Sequence, residues 1–166
     1  MIKTLLTTLV LALCTSNALA TSDFKGEPPT REFTSGGMAG VGQVYSEFGF
    51  AVIGSVAKKI LNKGFVPDIN NQVFVELQGG PLFINKSTLA VYSAHLRWDF
   101  VKDINWTLYG IGGLGGSVGK LVEGGKSEFV LNPRFAAGAF VSITSFIALR
   151  LEASSQWTTL GVSFGI

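Results

Sequence analysis

The chain has 166 residues, of which 47% are hydrophobic and only 14% charged, with a formal net charge of +2. That composition excludes a disordered chain, and 13 basic against 11 acidic residues leave no basic excess for gripping a phosphate backbone. The charged fraction lies well below the roughly 25% of soluble domains, so the fold must find a place for much apolar surface.

In chain order, the first twenty residues read as a secretory signal peptide. Lys3 supplies the positive start, Leu5 to Cys14 the apolar stretch, and Ala18-Leu19-Ala20 the small-residue cleavage site. The apolar stretch is too short to span a bilayer as a helix. Leu13, directly before Cys14, departs from the small residue that a lipoprotein signal needs. Cleavage after Ala20 removes the only cysteine, which excludes disulfides, thiolate catalysis and Cys-based metal sites from the mature chain. Residues 21–36 form a polar tail punctuated by Gly26, Pro28, Pro29 and Gly36.

From about residue 43 apolar and polar residues alternate with period two, the signature of strands. Val44, Phe48, Phe50 and Val52 oppose Gln43, Tyr45, Glu47 and Gly49. Residues 53–71 are ambiguous: Val52, Val56 and Ile60 follow a helical i, i+4 spacing and Lys58-Lys59 interrupt alternation, so this stretch fits a short helix or part of another strand. Then Val73, Val75 and Leu77 oppose Phe74, Glu76 and Gln78. Ala90, Tyr92, Ala94, Leu96, Trp98 and Phe100 oppose Ser93, His95, Arg97 and Asp99. Ile104, Trp106, Leu108 and Leu114 oppose Asn105, Thr107 and Tyr109. Phe129, Leu131, Phe135, Ala137, Ala139 and Val141 alternate with Asn132, Arg134, Ala136 and Gly138. Ile147, Leu149, Leu151 and Ala153 alternate with Ala148, Arg150, Glu152 and Ser154. Leu160, Val162, Phe164 and Ile166 alternate with Gly161, Ser163 and Gly165. Seven strands are clear. A closed barrel in an outer membrane has an even number, which places an eighth between residues 36 and 60.

The charges sort by position. Every lysine after the leader falls in the tail or an expected connection: Lys25, Lys58, Lys59, Lys63, Lys86, Lys102, Lys120 and Lys126. The strand charges Glu47, Glu76, Arg97, Asp99, Arg134, Arg150 and Glu152 all fall on the polar face. In a barrel whose apolar face meets lipid, these residues and His95 form a lumenal polar network, with arginine forks meeting carboxylates. In a soluble lipocalin-like barrel the same charges would face water. The large apolar side chains on nearly every strand, and aromatics grouped at strand ends, favour the membrane barrel. Trp98, Phe100 and Trp106 flank one expected turn, Phe140 and Phe146 another, and Trp157 lies at the far end of its hairpin. Trp98, Phe100, Trp106 and Trp157 are the expected membrane-interface aromatics.

The signal peptide, the segment LNPRFAAGAFVSITSFIALRLEASS and the terminal TTLGVSFGI together resemble the small outer-membrane β-barrel proteins of Gram-negative bacteria, the OmpA/OmpX-like group. The resemblance covers about residues 37–166. It implies contact with outer-membrane lipid and recognition of the last strand by the outer-membrane assembly machinery. That signal falls on Phe164 and Ile166, the chain ending in isoleucine where the family usually has an aromatic residue. No second periplasmic domain follows, so no peptidoglycan tether is implied.

Chemical motifs are weak. Gly110-Ile111-Gly112-Gly113-Leu114-Gly115 contains G-x-G-x-x-G, but the glycine-rich residues after it cannot sustain the helix a dinucleotide site requires. His95 and Ser93 share a face and invite comparison with outer-membrane lipid hydrolases. Residues two apart on a strand are separated by about 6.6 Å, too far for a direct base–nucleophile bond. Metal sites need clustered ligands, and the arginines offset the acids here.

The sequence thus predicts an all-β, antiparallel, up-and-down transmembrane barrel of eight strands, with a signal peptide at 1–20, a tail at 21–36 and the barrel at 37–166. Eight strands leave room only for side chains, so the lumen is filled rather than porin-like and open. The expected role is structural or surface-interacting in the cell outer membrane, as a monomer. No enzyme activity, cofactor, metal or nucleic acid is expected, and the surface ligand stays unnamed. The Gly116–Lys126 connection is the expected exposed loop. The alternatives are a lipid hydrolase using Ser93 and His95, and a soluble periplasmic binding barrel.

Overall fold

Period-two alternation runs through nearly all of the chain, and it builds one continuous wall. The computed structural model describes residue 24 and residues 31–44, 47–84, 87–120 and 127–165. Eight strands follow in order: β1 Phe33–Val44, β2 Glu47–Leu61, β3 Asn71–Ile84, β4 Ser87–Val101, β5 Trp106–Gly119, β6 Glu128–Ser142, β7 Ile147–Ser154 and β8 Trp157–Gly165. Each pairs antiparallel with the next, and β1 pairs with β8, so the sheet closes into a barrel without free side edges along its paired length. The expected leader lies outside the described residues, as do Ile166, Lys86 and residues 121–126 of the expected loop. Among the described residues no helix is long and apolar enough to cross a membrane.

Three sequence expectations about the strands change. β1 begins at Phe33, so the barrel starts inside the stretch expected as a tail at 21–36 and not at 37. The run from residue 43 to 52 is not one strand: Val44 pairs with Glu47, so the chain reverses between them and the run divides between β1 and β2. The helix option for 53–71 also fails, because β2 continues to Leu61. Val52, Val56 and Ile60 are four residues apart, and four is also a multiple of the strand period, so all three point outward. Lys58 and Lys59 therefore belong to a strand, not a connection. Lys58 faces out, 5.5 Å from the Phe33 ring, and Lys59 faces in and pairs with Glu32 at 3.2 Å. The expected loop is likewise shorter than Gly116–Lys126, since Gly116–Gly119 complete β5. The glycines of the G-x-G-x-x-G run all lie inside β5.

The wall is turned inside out relative to a soluble barrel. Outward-facing Phe50, Val56, Leu77, Leu96, Leu114, Leu131, Phe135 and Leu160 are exposed. Inward-facing Glu76, Arg97, Arg134, Arg150 and Glu152 are fully buried. Leaving aside strand ends, Lys58 is the one ionised side chain on the outer face among the described residues. The interior has two layers. Toward the β1–β2 and β3–β4 hairpins, Met38, Ala51, Ile53, Leu82, Ile84, Leu89, Val91 and Trp157 pack into an apolar plug. Below it, toward the termini, the polar side chains converge.

Candidate functional site: a buried ion network and a notch in the rim

Alternation alone places Glu76 on β3, Arg97 and Asp99 on β4, Arg134 on β6, and Arg150 and Glu152 on β7 inside the lumen. The registers then bring them to one level. Glu76 lies opposite His95 across β3–β4, and Glu152 opposite Gly138 across β6–β7. Arg150 bridges the two glutamates: its Nη2 donates to Glu76 Oε1 at 2.6 Å and to Glu152 Oε2 at 2.7 Å. Arg97 grips Asp99 with two parallel bonds, Nε to Oδ1 at 2.8 Å and Nη2 to Oδ2 at 3.1 Å, and also donates to Glu76. Arg134 donates to Glu152, and to Gln78 Oε1 at 3.0 Å. Gln78 Nε2 in turn donates to Glu76 at 2.7 Å and Glu152 at 3.0 Å. Three guanidiniums thus face three carboxylates, joined by one carboxamide.

Aromatic rings complete the layer. Arg150 Nε donates to the Tyr109 hydroxyl at 3.0 Å, and that hydroxyl lies 3.1 Å from Glu152 Oε2. Phe140 stacks beside Tyr109, with ring centroids 4.8 Å apart, and the Arg97 guanidinium lies 5.0 Å from the Phe140 centroid. Tyr109 reaches over β6 to β7 because its partner on β6 is Gly138: a Cβ there would sit 2.3 Å from the Tyr109 ring. Arg134 lies flat on Trp157, 3.7 Å from its centroid. Burying six ionised groups is tolerable only with this density of pairing, since an unpaired buried ion costs several kcal/mol.

Of the eight residues expected in the lumenal network, seven come together: Glu76, His95, Arg97, Asp99, Arg134, Arg150 and Glu152. Glu47 does not. It is exposed at the start of β2, whereas Glu76 pairs with Ala57, about 33 Å further along that strand at ~3.3 Å per residue. His95 Nε2 stands 3.6 Å from Glu76 Oε1, longer than a hydrogen bond. Among the described residues Ser93 Oγ and both His95 ring nitrogens lack a hydrogen-bond partner. Gly113 opposite His95 leaves its imidazole room, since a Cβ there would meet His95 Cβ at 2.5 Å.

The expected interface aromatics divide. Trp98, Phe100 and Trp106 lie on the outer face near the β4–β5 turn, Trp98 and Phe100 with centroids 5.0 Å apart. Trp98 Nε1 donates to Asn71 Oδ1 at 2.7 Å. Trp157 corrects the expectation: it is buried inside the barrel, because it shares the parity of inward-facing Thr159 and Ser163. Phe140 turns inward for the same reason. Phe164 faces outward, 6.2 Å from Phe146. Gln78, Tyr109 and Phe140, which the sequence reading left out of the network, all share the parity of its members.

The rim opposite the termini holds a second feature. β7 ends at Ser154, paired with Ala136, so residues 128–135 of β6 have no β7 partner. The short β7–β8 hairpin leaves a notch of about 350 Å³ between the tops of β6 and β1. Gln43, Val44, Ser117, Asn132, Pro133, Ser155, Gln156 and Trp157 line it.

An inverted, closed, eight-stranded barrel with an ion-paired lumen defines the class. Two solved structures of Ail, the attachment invasion locus protein of Yersinia pestis, share this fold. One is of Ail in complex with the heparin analogue sucrose octasulfate (13% identity, TM-score 0.55), and the other is a second crystal structure of Ail (12%, 0.58). Each match covers 81% of this chain and 96% of the Ail chain. The expected likeness to small OmpX-like barrels therefore holds for the fold. No protein-family model matches the chain. No curated protein matches it either.

Proposed function

We propose that the protein is a monomeric barrel of the bacterial outer membrane with a non-enzymatic, structural or surface-interacting role. The observation that carries this reading is the polarity of the wall: large apolar side chains outside, six paired ions sealed inside. In water that arrangement exposes apolar surface on every strand, while in a bilayer each outward side chain meets lipid. Trp98, Phe100 and Trp106 form part of an aromatic collar at the interface nearest the termini. Phe164, together with Ile166, supplies the strand signal for the assembly machinery, and a signal peptide at 1–20, followed by a tail that ends where β1 begins at Phe33, delivers the barrel. Ail, crystallised with a heparin analogue, supports a ligand-contact role for this fold, carried here by the rim opposite the termini.

The hydrolase alternative gains nothing from the geometry. Ser93 and His95 are both buried in the lumen, beneath the apolar plug and away from lipid. Membrane fractionation and gel migration test the main reading. The protein is expected in the outer-membrane fraction and runs faster unboiled than boiled. Recovery of a folded mature protein from the soluble fraction without detergent overturns it.

A further inference from the structure

The notch in the rim combines three properties. It is a gap through the wall, because residues of both faces line it: alternation turns Val44 and Asn132 inward but Gln43 and Pro133 outward. Its polar lining is uncharged, with the carboxamides of Gln43, Asn132 and Gln156 and the hydroxyls of Ser117 and Ser155. Its floor is rigid, since Trp157 is clamped by Arg134, whose Nη1 also donates to Gln156 Oε1 at 3.3 Å.

We infer that this notch is a binding site for a neutral saccharide of one or two rings. A carboxamide offers a donor and an acceptor side by side, the pattern that adjacent sugar hydroxyls complement. The Trp157 indole, buried beneath the Arg134 guanidinium, closes the floor of the notch and reports on whatever enters above it. A volume of about 350 Å³ lies within the range of small-molecule sites. An anionic ligand is disfavoured: among the described residues no lysine lines the notch, and the nearby arginine, Arg134, is already matched to Glu152. The inference deepens the surface-interaction reading, yet it concerns the folded barrel and holds whichever side of the membrane the notch faces.

Fluorine NMR on the mature barrel in detergent micelles tests it, with the three tryptophans replaced by 5-fluorotryptophan. Trp98→Phe and Trp106→Phe variants assign the Trp157 resonance by elimination. Glucose, galactose, N-acetylglucosamine and maltose are titrated, with glucose 6-sulfate as the charged comparison. At least one neutral sugar is expected to move the Trp157 resonance saturably, with a Kd on the order of 1 mM for so few contacts. Asn132→Ala is expected to weaken that binding about five- to tenfold, and Ser155→Trp, at the exposed sill, to abolish it. Heat-modifiable migration confirms that both variants keep the barrel. No shift with any neutral sugar, stronger binding of the sulfated sugar, or binding that survives Ser155→Trp overturns the inference. A failure in fractionation with sugar binding intact would count against the membrane reading alone.

Discussion

At the level of Glu76 the lumen is filled by six ionised side chains, whereas toward the β1–β2 and β3–β4 hairpins Met38, Ile53, Leu82, Ile84, Leu89 and Val91 fill it without a charge. Both layers are closed to solvent, but their tolerance differs in kind. Apolar packing degrades in proportion to the volume removed. A buried ion network degrades in steps, because each lost partner strands a charge. The ionic layer is thus the stringent part of the interior. Arg150, which joins both glutamates, Tyr109 and Ser55, is its centre.

Variants that break this contrast can be ranked. Glu76→Ala takes one carboxylate partner from both Arg97 and Arg150, leaves the buried network with one uncompensated positive charge, and is expected to cost about 3–5 kcal/mol, read from urea unfolding in lipid vesicles. Leu77→Arg, one residue along the same strand but on the outer face, is expected to cost about 2–4 kcal/mol in a bilayer if it lies near mid-depth. In detergent, where the wall is more easily solvated, that cost should shrink while the cost of Glu76→Ala persists. Ile53→Val in the apolar plug should cost only about 0.5–1.5 kcal/mol by the same measurement. Lys58→Met, at the end of the wall where a long side chain can reach water, is expected to shift stability by less than about 1 kcal/mol. If Ile53→Val exceeded Glu76→Ala, the ranking of the two layers would be reversed.

Much of this was legible in the sequence, because a barrel wall obeys a strict period. Glu76, Arg97, Arg134, Arg150 and Glu152 could be placed inside from alternation alone. What alternation does not carry is height. Glu47 has the right parity but stands at the opposite end of β2, and only the strand registers reveal that. Trp157 was misplaced by its position near a hairpin end, although its parity with Thr159 and Ser163 already pointed inward. The β1–β2 reversal was hidden because Tyr45-Ser46 carries no glycine, asparagine or aspartate turn signal. The notch was invisible in sequence, since it arises from β7 stopping at Ser154 while β6 runs on past Ala136 toward Glu128.

The inverted wall is tested most directly by spin labels on single cysteines at Leu77 and Gln78, neighbours on β3 that face opposite ways. With the mature barrel in lipid vesicles, the label at Leu77 should collide with dissolved oxygen and not with a water-soluble nickel complex. Gln78 lies in the ion network, so its label should be immobile and shielded from both. A label at Leu77 that meets the nickel complex as freely as a surface residue would contradict a lipid-facing wall.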